Sequence, residues 1–126
     1  MSYQEALDFL IAQLPMYQRK GKTAFKKDLT NIRLLCQRLN HPQNSFPCIH
    51  IAGTNGKGSV AHMLSAVFQQ MGFKTGLYTS PHYSDFRERI KINGQLISKK
   101  FVIDFTKRIQ DEVLDIRPSF FEMTVA

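Results

Sequence analysis

The seven residues Gly53-Thr54-Asn55-Gly56-Lys57-Gly58-Ser59 have the types and spacing needed to hold phosphate. Glycines allow backbone conformations and close approaches that a Cβ would block. Successive N–H groups then converge on phosphate oxygens, and a helix that starts here adds the positive end of its dipole. Lys57 supplies an ammonium group to neutralise β/γ-phosphate charge. The Ser59 hydroxyl is in reach of phosphate or of its Mg²⁺. Such a cradle needs a strand before it and a helix after it. The apolar run Cys48 to Ala52 reads as the strand. Val60, Leu64, Val67, Phe68 and Met71 recur at helical spacing and give the helix, which stops at Gly72.

A second strand is expected over Lys74 to Thr79. A strand, helix and strand of these lengths predict a right-handed crossover with parallel strands. Ligands collect beyond the carboxyl ends of such strands, which puts Ser80 in the region of Gly53 and Lys57. Ser80-Pro81-His82 breaks the run. Arg89-Ile90-Lys91-Ile92 then alternates into Asn93-Gly94, a strong hairpin signal, with Gln95-Leu96-Ile97 returning. Together these features predict an α/β fold, with a parallel sheet flanked by helices around a phosphate loop.

Supporting helices bracket this region. Ser2 and Glu5 have the spacing of a capping box, followed by Tyr3, Leu7, Leu10, Ile11 and Leu14 on one face and a stop at Pro15. Tyr17 to Thr23 reads as a polar, basic loop. Phe25, Leu29, Ile32, Cys36 and Leu39 predict a second helix that ends near Asn40 and Pro42. A helix from Ser98 has Val102, Phe105, Ile109, Val113 and Ile116 on its buried side and ends at Pro118. Ser119 and Glu122 open a further element with capping-box spacing, a structural use for that carboxylate.

At 126 residues the chain is one domain at most. Two strands and a hairpin fall short of the roughly five strands of a doubly wound nucleotide domain, so residues 1–126 read as its N-terminal portion. Cys36 and Cys48 are too few for a disulfide framework and read as reduced core residues of a cytoplasmic protein. No apolar run approaches the ~20 residues of a membrane span, so no membrane partner is expected. The net charge of +7 calls for an anionic partner. The basic residues are scattered and carry no nucleic-acid motif.

The loop departs from the common phosphate-loop pattern, because two residues rather than four separate the first Gly from Gly56-Lys57. In this form, ending in Gly58-Ser59, it resembles the ATP loop of the Mur ligase superfamily, and within it the folylpolyglutamate/dihydrofolate synthases. Thr79-Ser80-Pro81-His82, Glu88-Arg89-Ile90-Lys91-Ile92-Asn93-Gly94 and Phe120-Phe121-Glu122-Met123-Thr124 carry the same resemblance. It spans nearly the whole chain but only about the first third of the family's length. The resemblance implies an ATP-dependent ligase that adds L-glutamate to folate or dihydropteroate through an acyl phosphate. It implies that Gly53, Thr54, Asn55, Gly56, Lys57, Gly58 and Ser59 hold ATP, with Lys57 as the catalytic cation. Ser80 and Glu122 would bind Mg²⁺, and the loop after Ser80, with His82, Arg87 and Arg89, would meet the pterin substrate and its carboxylates. Two other readings are a cell-wall Mur ligase fragment and a non-catalytic module binding nucleotide or nucleic acid. A second-substrate site is not legible, so the chain alone is expected to be inactive.

Overall fold

The computed structural model describes residues 1–13 and 28–126. The expected loop Tyr17 to Thr23, Phe25 and the helix stop at Leu14-Pro15 lie outside the described residues, as does the side chain of Val113. The chain divides into two compact units, residues 1–47 with 103–126, and residues 48–102.

The first unit is helical. Helix α1 (Tyr3–Ile11) starts on a complete capping box: Ser2 Oγ accepts from the Glu5 amide, and Glu5 accepts from the Ser2 amide. Helix α2 (Thr30–Arg38) ends in left-handed conformations at Asn40 and His41, where Pro42 opens a short 3₁₀ turn. Helix α4 (Lys99–Ile116) contributes its later turns to this unit, and helix α5 (Phe120–Val125) closes it. Ala6, Leu10, Leu35, Cys36, Thr106, Ile109, Ile116, Phe120 and Met123 are buried and form its core. α5 packs against both α1 and α2. Two hydrogen bonds fix the turn before α5: the buried Asn31 donates Nδ2–H to the Arg117 carbonyl at 3.4 Å, and the Phe120 amide donates to the Gln13 carbonyl at 3.1 Å. Arg38 pairs with Glu112 and, at 3.4 Å, with Asp115.

The second unit holds the candidate chemistry. Helix α3 (Lys57–Gln70) packs on strand β1 (Gly76–Tyr78). β1 pairs antiparallel with β2 (Ile90–Ile92), which pairs antiparallel with β3 (Gln95–Leu96). The β2–β3 turn is the expected one, with Asn93 and Gly94 at φ 48° and 77°, as a type I′ turn requires. Asn93 Oδ1 also accepts from the Thr75 amide at 2.8 Å, which ties the turn to the start of β1.

Three sequence expectations are corrected here. The sheet of the described residues is antiparallel, with no parallel crossover. Cys48 to Ala52 forms no strand. An apolar run supplies strand propensity but not the neighbour whose N–H and C=O groups complete a ladder. β1 instead takes the partner nearest in sequence, which costs the least loop-closure entropy. Finally, Cys48 is exposed rather than core, and so are Val60, Val67 and Met71 on α3. The apolar stripe of α3 is present, but the described residues leave much of it uncovered.

Candidate functional site

Gly56 sits at the α3 N-cap with φ 79°, a left-handed conformation that favours glycine. Its carbonyl accepts the first helical bond, from Val60, at 3.0 Å. Lys57, Gly58 and Ser59 therefore form the first turn, and no side chain caps its amides. Uncapped first-turn N–H groups at the positive end of a 14-residue helix suit an anion. The whole stretch from Ala52 to Val60 is exposed, so the turn is open to a ligand.

Lys57 has folded back over the loop. Its Nζ donates to the Gly53 carbonyl at 2.7 Å and lies 3.4 Å from the Thr54 carbonyl. These two carbonyls keep the ammonium beside the turn instead of letting it extend into solvent. One turn further on, His62 Nδ1 is 2.7 Å from the Gly58 carbonyl and braces the same segment.

The segment after β1 forms a second cluster. Ser80 is exposed, and its bond to Pro81 is cis. His82 Nδ1 accepts from Arg89 Nε at 2.7 Å, and the His82 ring stands edge-on to the buried Phe86 at 6.1 Å. Because a guanidinium only donates, Nδ1 must carry a lone pair, which leaves the ring proton on Nε2. Arg87 is paired with Asp85, by Nη2 at 2.8 Å and Nε at 3.2 Å, and its Nη1 lies 3.4 Å from the Ile97 carbonyl. Its guanidinium thus serves the loop itself. The structure brings His82, Arg87 and Arg89 into one loop, but with both arginines engaged by neighbours.

Glu88 organises this loop; the sequence placed it in a block that carries the resemblance but not among the candidate site residues. Its carboxylate accepts from the amides of Tyr83, Ser84 and Asp85, at 3.2, 3.0 and 2.5 Å, and from the Ser84 hydroxyl at 3.3 Å. The Asp85 amide above all, then those of Ser84 and Tyr83, pull its pKa down to about 2. The available signal was Asp85-x-x-Glu88, the same capping-box spacing noticed at Ser2 and Ser119. Here it caps the 3₁₀ turn Phe86–Arg89.

Glu122 belongs to the helical unit. The box suggested by sequence is formed: Ser119 Oγ accepts from the Glu122 amide at 3.1 Å, and Glu122 Oε2 accepts from the Ser119 amide at 2.7 Å. The structural use of this carboxylate is therefore realised. It does not exhaust the group, since a carboxylate offers about four acceptor positions. Among the described residues, no three His, Cys, Asp or Glu side chains gather as a metal cluster.

No protein-family model matches the chain. Relatives and solved structures do. It is 37% identical over 131 residues to a probable bifunctional folylpolyglutamate synthase/dihydropteroate synthase of Haloferax volcanii, matching all of this chain and 15% of that protein. A crystal structure of folylpolyglutamate synthase from Thermotoga maritima superposes with a TM-score of 0.85 at 35% identity, covering 98% of this chain and 28% of that one. The chain belongs to the folylpolyglutamate/dihydrofolate synthase family. It matches the N-terminal part of these synthases and spans under a third of the lengths just given. Another solved synthase of the family, described as a complex with AMPPCP and folate, superposes with a TM-score of 0.79 at 30% identity, over 98% of this chain and 30% of that one. These likenesses support an α/β fold for the synthase portion seen here. Among the described residues no helix is long and apolar enough to cross a membrane.

Proposed function

We propose that this chain is the N-terminal portion of the ATP-binding domain of a folate-type ligase, in which Gly53 to Ser59 form the phosphate loop. The observation that carries the reading is the open, uncapped first turn of α3 with the Lys57 ammonium held beside it. Likeness to a synthase described with AMPPCP and folate supports ATP and folate as ligands. The reaction is ATP-dependent glutamylation. A folate or dihydropteroate carboxylate attacks the γ-phosphorus, ADP leaves, and the resulting acyl phosphate is opened by the amine of L-glutamate with release of phosphate.

That sequence brings two anions together, and screening them is the protein's main task. Lys57 screens the transferring phosphoryl group, and the amides of Gly56 to Ser59 orient its oxygens. Mg²⁺, when bound, supplies further charge neutralisation. The Ser80 hydroxyl and the Glu122 carboxylate are hard oxygen donors of the kind it takes, and both are proposed as its ligands. His82 offers an Nε2–H donor to the acceptor substrate. Arg87 and Arg89 shape the loop around it, and a direct contact of either with substrate would require exchange of a bond described above.

Equilibrium dialysis of AMPPCP with Mg²⁺ tests the central point. Lys57→Ala is expected to weaken binding roughly ten- to a hundredfold, the loss of one charge-assisted contact, with an unchanged circular dichroism spectrum. Equal affinity of variant and parent would remove Lys57 from the phosphate site.

A further inference from the structure

We propose that His62 is a positioning residue of the phosphate loop, bracing the first turn of α3 through the Gly58 carbonyl and so setting the Ser59 amide for an anion. The inference rests on the phosphate-loop reading above and adds to it a residue outside Gly53 to Ser59. Glycine holds a helical turn less firmly than any residue except proline. The fold itself does not demand glycine at position 58, which is helical, without a positive φ, and where a Cβ would meet nothing within 4 Å. Room for an anion explains it, at the expense of a loose first turn. The usual remedy for a loose first turn is a Ser, Thr, Asp or Asn side chain at the N-cap. That remedy would occupy the amides an anion needs, and no side chain caps this turn.

The turn is held from its carbonyl side instead. Helical side chains lean toward the N-terminus, so residue 62 overlies residue 58. His62 Nδ1 lies 2.7 Å from the Gly58 carbonyl. A carbonyl only accepts, so Nδ1 carries the proton and donates. The peptide joining Gly58 to Ser59 is planar and trans, with its C=O and N–H pointing opposite ways. Holding the Gly58 oxygen therefore also aims the Ser59 N–H toward the start of the helix. Lys57 does the same further back, where its ammonium holds the Gly53 and Thr54 carbonyls. Both side chains take carbonyls and leave amides open, as an empty anion cradle requires.

The test is calorimetric titration of the full chain with AMPPCP and Mg²⁺, under conditions where circular dichroism shows the variants folded. His62→Ala and His62→Phe are expected to weaken binding roughly three- to tenfold, the net worth of one hydrogen bond. Phe keeps a ring and loses the donor, so it decides the matter if the Ala variant fails to fold. His62→Gln carries a neutral donor that can reach the same carbonyl and should stay within about twofold of the parent. The loss should be equal on either side of the histidine titration range, because Nδ1–H is present in both ring forms. Nitrogen-15 order parameters of Gly58 and Ser59 in the ligand-free chain should fall in His62→Phe and recover in His62→Gln. A bond that serves the helix alone would lower the melting temperature and leave the affinity of the folded chain unchanged, which overturns the inference. A loss that grows with acidity and is not rescued by Gln also overturns it, since the imidazolium would then act on phosphate as a charge. If Lys57→Ala weakens AMPPCP binding and His62→Phe does not, the phosphate-loop reading stands without this brace. A parent chain that takes up no AMPPCP removes both together.

Discussion

Glu122 is a residue with one role visible and a second proposed, and the two separate on substitution. Gln keeps the length of the side chain, and its carbonyl can still accept from the Ser119 amide, so the cap of α5 largely survives. What Gln loses is the charge that would hold Mg²⁺. In a ligase assay of the synthase that carries this segment, Glu122→Gln is expected to raise the Mg²⁺ concentration needed for half-maximal rate. Thermal stability should change little. A lowered melting temperature with unchanged Mg²⁺ dependence would assign Glu122 to the cap alone. Ser119 and Glu122 also mark how far residues are legible. Spacing announces a capping box, but the same carboxylate chemistry serves a metal, and only the surroundings choose.

At the scale of elements, the hairpin was legible because Asn93-Gly94 names its own turn. Gly94→Ala is expected to cost about 1 kcal/mol, since alanine resists a left-handed φ. Its Cβ would also meet Gln69 Oε1 at 3.4 Å. Chemical denaturation measures this, and an unchanged midpoint would count against that turn. The 82–89 loop was less legible, although its ingredients were in plain view. Asp85 and Glu88 have box spacing, but nothing in a sequence says that one carboxylate will collect three amides. Its acid response follows from that collection. The folded pKa of Glu88, near 2, lies below the value of 4.5 for a free glutamate. Its contribution is therefore fully present above about pH 4.5 and lost as pH falls toward 2. Amide exchange at Tyr83 to Asp85 should rise across that window relative to that of the β2–β3 turn. Exchange that stays flat would mean the carboxylate does not hold the loop. The strand expected at Cys48 to Ala52 failed for the converse reason: a β-ladder belongs to two segments, and the run of apolar residues described only one.

At the scale of the whole molecule, much apolar surface faces solvent. Met63, Met71 and Ile49 are 67%, 64% and 62% exposed, and Val60, Val67 and Phe73 accompany them in the same unit. Scattered apolar residues are ordinary on a surface, but a helical stripe of them is not. The purified chain is therefore expected to bind a hydrophobic dye and to elute earlier in size-exclusion chromatography as its concentration rises. Met63→Lys with Val67→Glu should reduce both effects. Dye-negative, concentration-independent monomer would show that this surface is tolerated in water. The periodicity of α3 was read correctly from sequence, and its burial was not. Period tells which residues share a face, whereas burial depends on what comes to lie against it.

The grip of Lys57 on the Gly53 and Thr54 carbonyls has a thermodynamic consequence. A lysine side chain free in water has about 2 kcal/mol of rotamer entropy to lose when it is immobilised. Here much of that freedom is already gone before a nucleotide arrives, so the loss falls on folding rather than on binding. Nucleotide uptake should accordingly show a smaller unfavourable entropy than a loop whose lysine waits extended in solvent.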